Sequence, residues 1–449
     1  MKKESMLHFS LEREVHLAEY IKYVISNVCG MVGLSCYILA DTFFISKGLG
    51  SDGLTALNLA IPIYSFVHGI GLMFGMGGAA KYSIFRGQKH EKEANFIFNN
   101  TLKAALAIAA LLSIMGILGS RQIAVLLGAR GEIFLMTNIY LKMILLSAPV
   151  FIMNEILLAF VRNDGNPGLA MAAMLVGSVS NIILDYIFIF QLDWGMFGAV
   201  FATSLAPVIS MCVLALHKVL GKQHFFLKKI RFSSTITGEI ISLGIPSLIT
   251  EVAAGIVMIV FNMLILNIEG NIGVAAYGII ANLALVFSAI YIGIAQGIQP
   301  LISRGYGKND VHYVKIMYRY AFITLCVISI VIYSVCFILA EPITFVFNSE
   351  QNEMLQKIAA GGMKLYFTAV PFIGFNIVTS VFFSAIEEAV PAQSISLLRG
   401  IILMVPMAFL LSALGGMTGI WLTVLVTESI VTMVGMIFVM KWWKKNKVY

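Results

Sequence analysis

Residues 195–219 read GMFGAVFATSLAPVISMCVLALHKV, and this stretch decides the fold class. It contains no Asp, Glu, Lys or Arg before Lys218. A membrane-spanning helix needs about 20 predominantly apolar residues, because lipid offers its backbone no hydrogen-bond partners. The whole chain has the same character, since 59% of its 449 residues are hydrophobic. Only 12% are charged, against about 25% in soluble domains. This composition excludes a soluble globular protein and a disordered one.

Apolar stretches of this kind recur about twelve times between short polar connectors, as in a multi-pass membrane protein. We therefore predict an all-α integral membrane protein with twelve transmembrane helices. The predicted helices cover residues 16–45, 54–81, 94–119, 133–161, 167–192, 195–219, 236–266, 273–302, 313–340, 357–385, 391–414 and 416–442.

The two halves of the chain repeat each other. Gly195-Met-Phe-Gly198 recurs as Gly416-Met-Thr-Gly419, and two other pairs recur at nearly the same offset. Six helices in each half give both copies the same direction, which predicts two six-helix bundles related by a pseudo-two-fold axis along the membrane normal. The predicted lobes are 1–220 and 236–449, joined by a connector at 221–235. Bundles of this kind typically rock against each other to expose a central site to alternate sides. The other two repeated motifs are Gly53-x-x-Ala56, which recurs as Gly273-x-x-Ala276, and Pro149 with Asn154, which recur as Pro371 with Asn376.

The basic residues collect in connectors on one side of the predicted membrane. By the positive-inside rule, that side, both termini and the central connector are cytoplasmic. The expected location is the inner (cytoplasmic) cell membrane, with the lipid bilayer as surroundings. The net charge of +7 then reports topology and indicates no nucleic-acid partner. The basic residues on the predicted cytoplasmic side are Arg86, Lys89, Lys92, Lys218, Lys222, Lys228, Lys229, Arg231, Arg304, Lys308, Lys315, Arg319, Lys441, Lys444, Lys445 and Lys447.

Acidic residues within the predicted spans are the strongest functional signal, because a carboxylate in hydrocarbon is costly. Asp41 lies near the outer end of the first helix, and Asn181 and Asp185 share one face of the fifth. Helix rise places these three and Thr203 of the sixth helix at one outer-half depth. We expect the four to bind a proton or a sodium ion, with no other metal. The structural alternative is that Asp41 caps a helix end and Asp185 pairs with another cation.

Glu251 lies near the membrane midplane in the seventh predicted helix. It is a candidate for attracting a cationic substrate or for a second ion site, and a buried hydrogen-bonded pair is the structural alternative. Glu155, Arg399 and Glu428 are interpreted as structural charges that hold the bundles together. His68, within the second predicted span, is interpreted as a polar packing residue.

No enzyme motif with a suitable structural context occurs in the sequence, so we predict a protein that is not an enzyme and has no resident cofactor. The rival would be an intramembrane transferase with a metal-binding acidic cluster. Glu387-Glu388 is the one acid pair on a cytoplasmic connector, and it lacks the Asp-x-x-x-Asp spacing that binds magnesium diphosphate. Without a nucleotide site, the expected energy source is an ion gradient.

Several stretches in this order resemble the multidrug and toxic compound extrusion (MATE) family, within the multidrug/oligosaccharidyl-lipid/polysaccharide exporter superfamily. The resemblance covers nearly the whole chain. In the family's N-terminal ion site, the motif positions correspond to Asp41, Asn181, Asp185 and Thr203. The stretches that carry the resemblance are Ala40-Asp41-Thr42, residues 50–58, residues 127–132, Ser147-Ala148-Pro149, Asn181–Asp185, residues 195–203 and residues 297–302.

The resemblance implies multidrug efflux, in which cationic or amphiphilic organic compounds are exported in exchange for protons or sodium. We expect small organic cations and amphiphiles as substrates and a monomer as the working unit. The alternative is a lipid or lipid-linked oligosaccharide flippase of the same superfamily. A flippase would need a basic cavity for a pyrophosphate head, which Arg399 would favour if it faces the cavity.

Overall fold

A computed structural model describes residues 2–348 and 351–446, with side-chain surroundings from residue 14 onward. Every regular element in these two ranges is helical. Met1 and residues 447–449, which include the basic residue Lys447, lie outside the described residues. The sequence predicted that both of these termini are on the cytoplasmic side of the membrane. The helices are α1 (Lys2–Gly87), α2 (Glu91–Leu126), α3 (Gly131–Leu146), α4 (Ala148–Asn163), α5 (Pro167–Asp185), α6 (Gly195–Val219), α7 (Ser234–Gly307), α8 (Val311–Ile338), α9 (Ala340–Phe347), α10 (Glu353–Tyr366), α11 (Val370–Ala385), α12 (Ala389–Leu397) and α13 (Met404–Lys445).

Three of these helices are broken by a single glycine. At 74 residues, a straight α7 would be about 110 Å long, whereas the hydrocarbon core is about 30 Å thick. Gly50 in α1, Gly270 in α7 and Gly416 in α13 have φ angles of 69°, 64° and 54°. Glycine adopts positive φ without steric penalty, so each break needs only one residue.

The chain folds back on itself at these glycines. The hydroxyls of Tyr37 and Tyr64, on either side of Gly50, are 3.1 Å apart although 27 residues separate them. Along a straight helix they would be about 40 Å apart. The sequence predicted a multi-residue connector over 46–53, and the structure turns at one residue because Gly50 takes up the whole change of direction.

The apolar helices have the length that a membrane requires. Among the described residues, 8 helices are long and apolar enough to cross a bilayer, or 9 if α3 and α4, bent by 50°, form one span. The predicted class of all-α integral membrane protein is therefore confirmed.

Buried hydrophobic side chains form two clusters. One draws on residues 31–240 with Ala289, and the other on residues 261–442. Tyr20, Tyr23 and Val24, near the start of α1, belong to the second cluster. The segment of α1 around residues 20–24 thus packs against the C-terminal half of the chain.

The two halves meet at one end of the molecule. We call residues 220–233, which link α6 to α7 without regular structure, the strap, and the end where it lies the strap side. Near this side a Cβ built on Gly244 would lie 1.9 Å from the Met73 carbonyl oxygen, and one on Gly77 would lie 2.1 Å from that of Ile240. Such close backbone approach requires glycine on both helices.

Further contacts between the halves lie on the same side. Lys81 Nζ contacts Glu239 at 2.6 Å and Glu387 at 2.8 Å. Arg162 donates to Gln296 at 2.6 Å. Within the described ranges, the two halves contact each other between the strap side and the level of Glu251. These contacts include hydrogen bonds, ion pairs and close packing at glycines. The molecule is therefore closed on its strap side.

We predict that Gly244→Ala destabilises this closed form by about 1–3 kcal/mol, because the added methyl group forces α7 away from Met73. Gly255→Ala is the matched control on the same helix, since a Cβ there meets nothing within 4 Å. That control should be neutral or slightly stabilising, because alanine favours a helix. Thermal unfolding of the purified protein measures both. Equal melting temperatures for the two variants would contradict close packing at Gly244.

Candidate functional site

The structure brings the four predicted ion-site residues together in the N-terminal half. Asp41 lies on the first part of α1, Asn181 and Asp185 on α5, and Thr203 on α6. All four side chains are buried. The four-residue spacing of Asn181 and Asp185 places both on one face of α5, and α5 packs against both α1 and α6.

Hydrogen bonds connect three of these residues. The side-chain nitrogen of Asn181 donates to Asp185 Oδ2 at 3.0 Å, and its oxygen accepts from the Thr203 backbone N–H at 3.3 Å, in the amide orientation that satisfies both groups. The Thr203 hydroxyl donates to the Ala199 carbonyl at 3.0 Å. Asn181 therefore holds Asp185 in place and links α5 to α6.

The carboxyl groups of Asp41 and Asp185 lie side by side at hydrogen-bonding range. Two carboxylates share a hydrogen bond only if one of them carries a proton. One oxygen on each, Asp41 Oδ1 and Asp185 Oδ1, has no hydrogen-bond partner among the described residues. A buried acceptor without a donor is costly, so these oxygens suit a bound proton or a small cation.

Sequence reasoning missed part of the surroundings of this pair. Tyr140 of α3 is buried, with its hydroxyl beside Thr203 and near both acids. Tyr37 lies near Asp41. A tyrosine in an apolar helix resembles any packing aromatic, so no sequence signal distinguishes these two. In addition, a π-helical segment, Tyr186–Gln191, follows Asp185 directly. Single π-helical turns are frequent at functional sites.

A second polar cluster connects the two halves. His68, on the second part of α1, has Nε2 3.6 Å from Glu155 of α4 and Nδ1 3.5 Å from Glu251 of α7. The Tyr64 ring stacks on the His68 ring. Glu251 therefore lies beside a residue of the other half, and 26% of its side chain stays exposed. The sequence had treated His68 and Glu155 as packing and structural residues.

Glu251 also faces a cavity of about 60 Å³ between the halves, which has room for a few water molecules. Arg399, in the π-helical segment Leu398–Ile402 that follows α12, faces this cavity too, but its guanidinium donates to Glu428 at 2.7 Å. Asn376 donates to the same carboxylate at 2.6 Å. Residues of both halves line the cavity, including Leu72, Met76, Ala80, Thr250, Gln296 and Gln299.

The acid pair Glu387-Glu388 has a different use. Glu387 accepts a hydrogen bond from Lys81 at 2.8 Å and so helps to join the halves. In the part of the chain that the structure describes, no group of three or more His, Cys, Asp or Glu side chains is arranged to hold a metal ion.

Comparison with known proteins places the chain in a family. The family model MatE matches residues 28–187 and 246–410, on both sides of the strap. The chain is 28% identical over 442 residues to the multidrug export protein MepA of Staphylococcus saprophyticus, covering 98% of this chain and 96% of that protein. For MepA of Staphylococcus aureus strain MRSA252, the identity is 26% over 438 residues, covering 97% and 93%.

Solved structures share the fold. A transporter of the MOP superfamily from Pyrococcus furiosus superposes with a TM-score of 0.88 at 22% identity and covers 96% of each chain. An outward-facing multidrug resistance MATE family transporter has a TM-score of 0.87 at 21% identity and covers 94% of each chain. Since the MatE model matches most of the chain and both halves have the fold of these transporters, the chain belongs to the MATE family of membrane transporters.

Proposed function

We propose that this protein exports small organic cations and amphiphiles by antiport against protons or sodium ions. The observation that carries the proposal is the pair of buried carboxyl groups, Asp41 and Asp185, each with an oxygen that lacks a partner among the described residues. Such a pair takes up and releases one positive charge readily, because two adjacent carboxylates cannot both stay ionised cheaply. Asn181 and Thr203 supply the neutral hydrogen-bonding groups around it.

The transport unit in this proposal has twelve spans in two lobes, 1–220 and 236–449. The eight long apolar helices, the bent pair α3–α4 and the three glycine breaks support that number. The two hydrophobic clusters support the division into lobes. Alternating access then consists of rocking one lobe against the other, and a single copy of the chain suffices.

The strap side is cytoplasmic in this proposal, because the basic connectors lie there. With that side closed by Lys81, Arg162 and the paired glycines, the conformation faces outward. An ion from outside then reaches the acid pair and promotes drug release. Return to the inward-facing state requires these strap-side contacts to separate.

Membrane energetics support one exchanged ion as a sufficient driving force. A potential of 100 mV supplies about 2.3 kcal/mol for each charge moved inward. At 1.4 kcal/mol for each tenfold ratio, this corresponds to a concentration gradient of roughly fifty-fold. No nucleotide or resident cofactor is needed for such an exchange, and the protein is not an enzyme.

Glu251 is proposed as the residue that attracts the cationic substrate. It faces the cavity between the halves and is held at 3.5 Å by His68. An incoming organic cation would take the place of His68 beside the carboxylate. The role of a second ion site for Glu251 is the alternative within the same proposal.

A lipid or lipid-linked oligosaccharide flippase is less well supported. It would need an uncompensated basic cavity, and although Arg399 faces the cavity, Glu428 neutralises its charge at 2.7 Å. The curated relatives are multidrug export proteins. Both observations favour drug export.

We predict that Asp41→Asn and Asp185→Asn each abolish ion-driven transport, because the amide keeps the shape of the carboxyl but can no longer bind a proton or a cation as an acid does. The assay is ethidium uptake into inside-out vesicles with a proton gradient or a sodium gradient imposed separately. Asp52→Asn, on an exposed residue beside the Gly50 turn, is the matched control and should transport normally. Ion-driven uptake retained in both site variants would refute the coupling site, and no response of the unaltered protein to either gradient would favour the flippase.

We predict that Glu251→Gln raises the KM for ethidium about tenfold, because a negative charge near the midplane attracts a cation strongly in a low dielectric. Transport of a neutral amphiphile in the same vesicles should keep its KM. If both substrates lose ion coupling equally and the KM for ethidium does not change, Glu251 is an ion site and not a substrate site.

A further inference from the structure

The strap has no regular structure, yet three asparagines of α2 hold its backbone. Asn95 accepts from the Phe226 N–H at 2.6 Å. Asn99 donates to the Phe226 carbonyl and accepts from the Lys228 N–H, each at 2.8 Å. Asn100 accepts from the Ser233 N–H at 2.9 Å and donates to the carbonyl of the same residue at 3.2 Å. The side-chain amides take the place of a neighbouring strand, so the strap has a defined position on the N-terminal half.

A buried carboxylate fixes the beginning of the strap. Asp164, in the turn between α4 and α5, accepts from the His224 N–H at 2.8 Å and contacts the His217 ring at 2.9 Å. Tyr82 donates to it at 2.6 Å. Burial by itself would raise the pKa of Asp164, but these hydrogen bonds hold the pKa below its ordinary value of 3.8. The carboxylate stays ionised and keeps the strap attached.

With its backbone held on one side, the strap presents an unusual mixture of side chains on the other. Phe226, Leu227 and Phe232 are 48%, 76% and 55% exposed. Lys228, Lys229 and Arg231 lie between Leu227 and Phe232 in the sequence and are exposed as well. None of these three cations has a salt-bridge partner within the described ranges. Large apolar groups next to unpaired cations are costly in water but suit a lipid headgroup region.

The position of the strap agrees with this chemistry. The strap starts where α6 ends and finishes where α7 begins, and both helices are long and apolar enough to span a bilayer. The strap therefore lies at the level of the headgroups. Val219 and Leu220, which precede Lys222, are 78% and 57% exposed. They extend the exposed apolar surface of the strap.

We propose that the strap is a binding site for anionic phospholipid headgroups. Lys228, Lys229 and Arg231 would contact the phosphates, while Phe226, Leu227 and Phe232 enter the acyl boundary. An acidic protein or a nucleic acid would leave those apolar side chains in water, so charge and apolar surface together favour lipid. The inference depends on the membrane placement of the chain but not on antiport, so it can fail without affecting the proposed transport activity.

The test places a tryptophan in the strap. Phe226→Trp is reconstituted in vesicles that contain either brominated phosphatidylglycerol or brominated phosphatidylcholine, and the fluorescence of the unsubstituted protein is subtracted. Bromine quenches tryptophan at short range. We expect quenching by the anionic lipid to be about twofold stronger or more, since each basic residue at the surface favours anionic lipid. The triple variant K228Q/K229Q/R231Q in the same background should lose this preference.

The matched control is K441Q/K444Q/K445Q, which removes three exposed positive charges at the end of α13. It should keep the preference for the anionic lipid. Equal quenching by the two lipids in the Phe226→Trp protein would overturn the proposal. An equal loss in both triple variants would do the same, because it would mean that general surface charge and not the strap selects the lipid. Lys229→Gln alone, the smallest change, should give a partial loss.

Discussion

Two acidic side chains that lie side by side within an apolar bundle are the feature on which the proposed transport mechanism depends. Asp41 and Asp185 are both buried, and each has an oxygen without a partner among the described residues. Because water is scarce there, a second negative charge is costly and one added cation is strongly favoured. We therefore propose that the pair is a site with two charge states. Asn181 and Thr203 hold those states in a fixed geometry.

A change of charge in one lobe produces transport only if the lobes can rearrange. Close backbone contacts at Gly77 and Gly244 make the strap-side closure tight. Its polar contacts include the ion pairs of Lys81 with Glu239 and Glu387. Glu251 and His68 contact each other across the same interface, nearer the midplane. In the proposed mechanism, a cation that competes for Glu251 acts on a contact between the halves.

The sequence was sufficient to predict those features of the site that depend on helical periodicity and on depth in the membrane. The spacing of Asn181 and Asp185, together with helix rise, was enough to group the four residues that the structure brings together. It was not informative about contacts between distant segments. His68 with Glu155 and Glu251, and Arg399 with Glu428, depend on the packing of helices that a single sequence does not order. Gly50 also looked like part of a loop, because a one-residue reversal depends on its φ angle.

The most direct test of ion coupling is to let the drug drive the ion. Vesicles with no ion gradient receive a pulse of ethidium, and a pH dye and radioactive sodium report any ion movement. Coupling at the acid pair predicts a proton or sodium flux opposite to the drug flux, absent in Asp185→Asn and normal in Asp52→Asn. Drug movement without ion counterflow, or counterflow unchanged in Asp185→Asn, would contradict it.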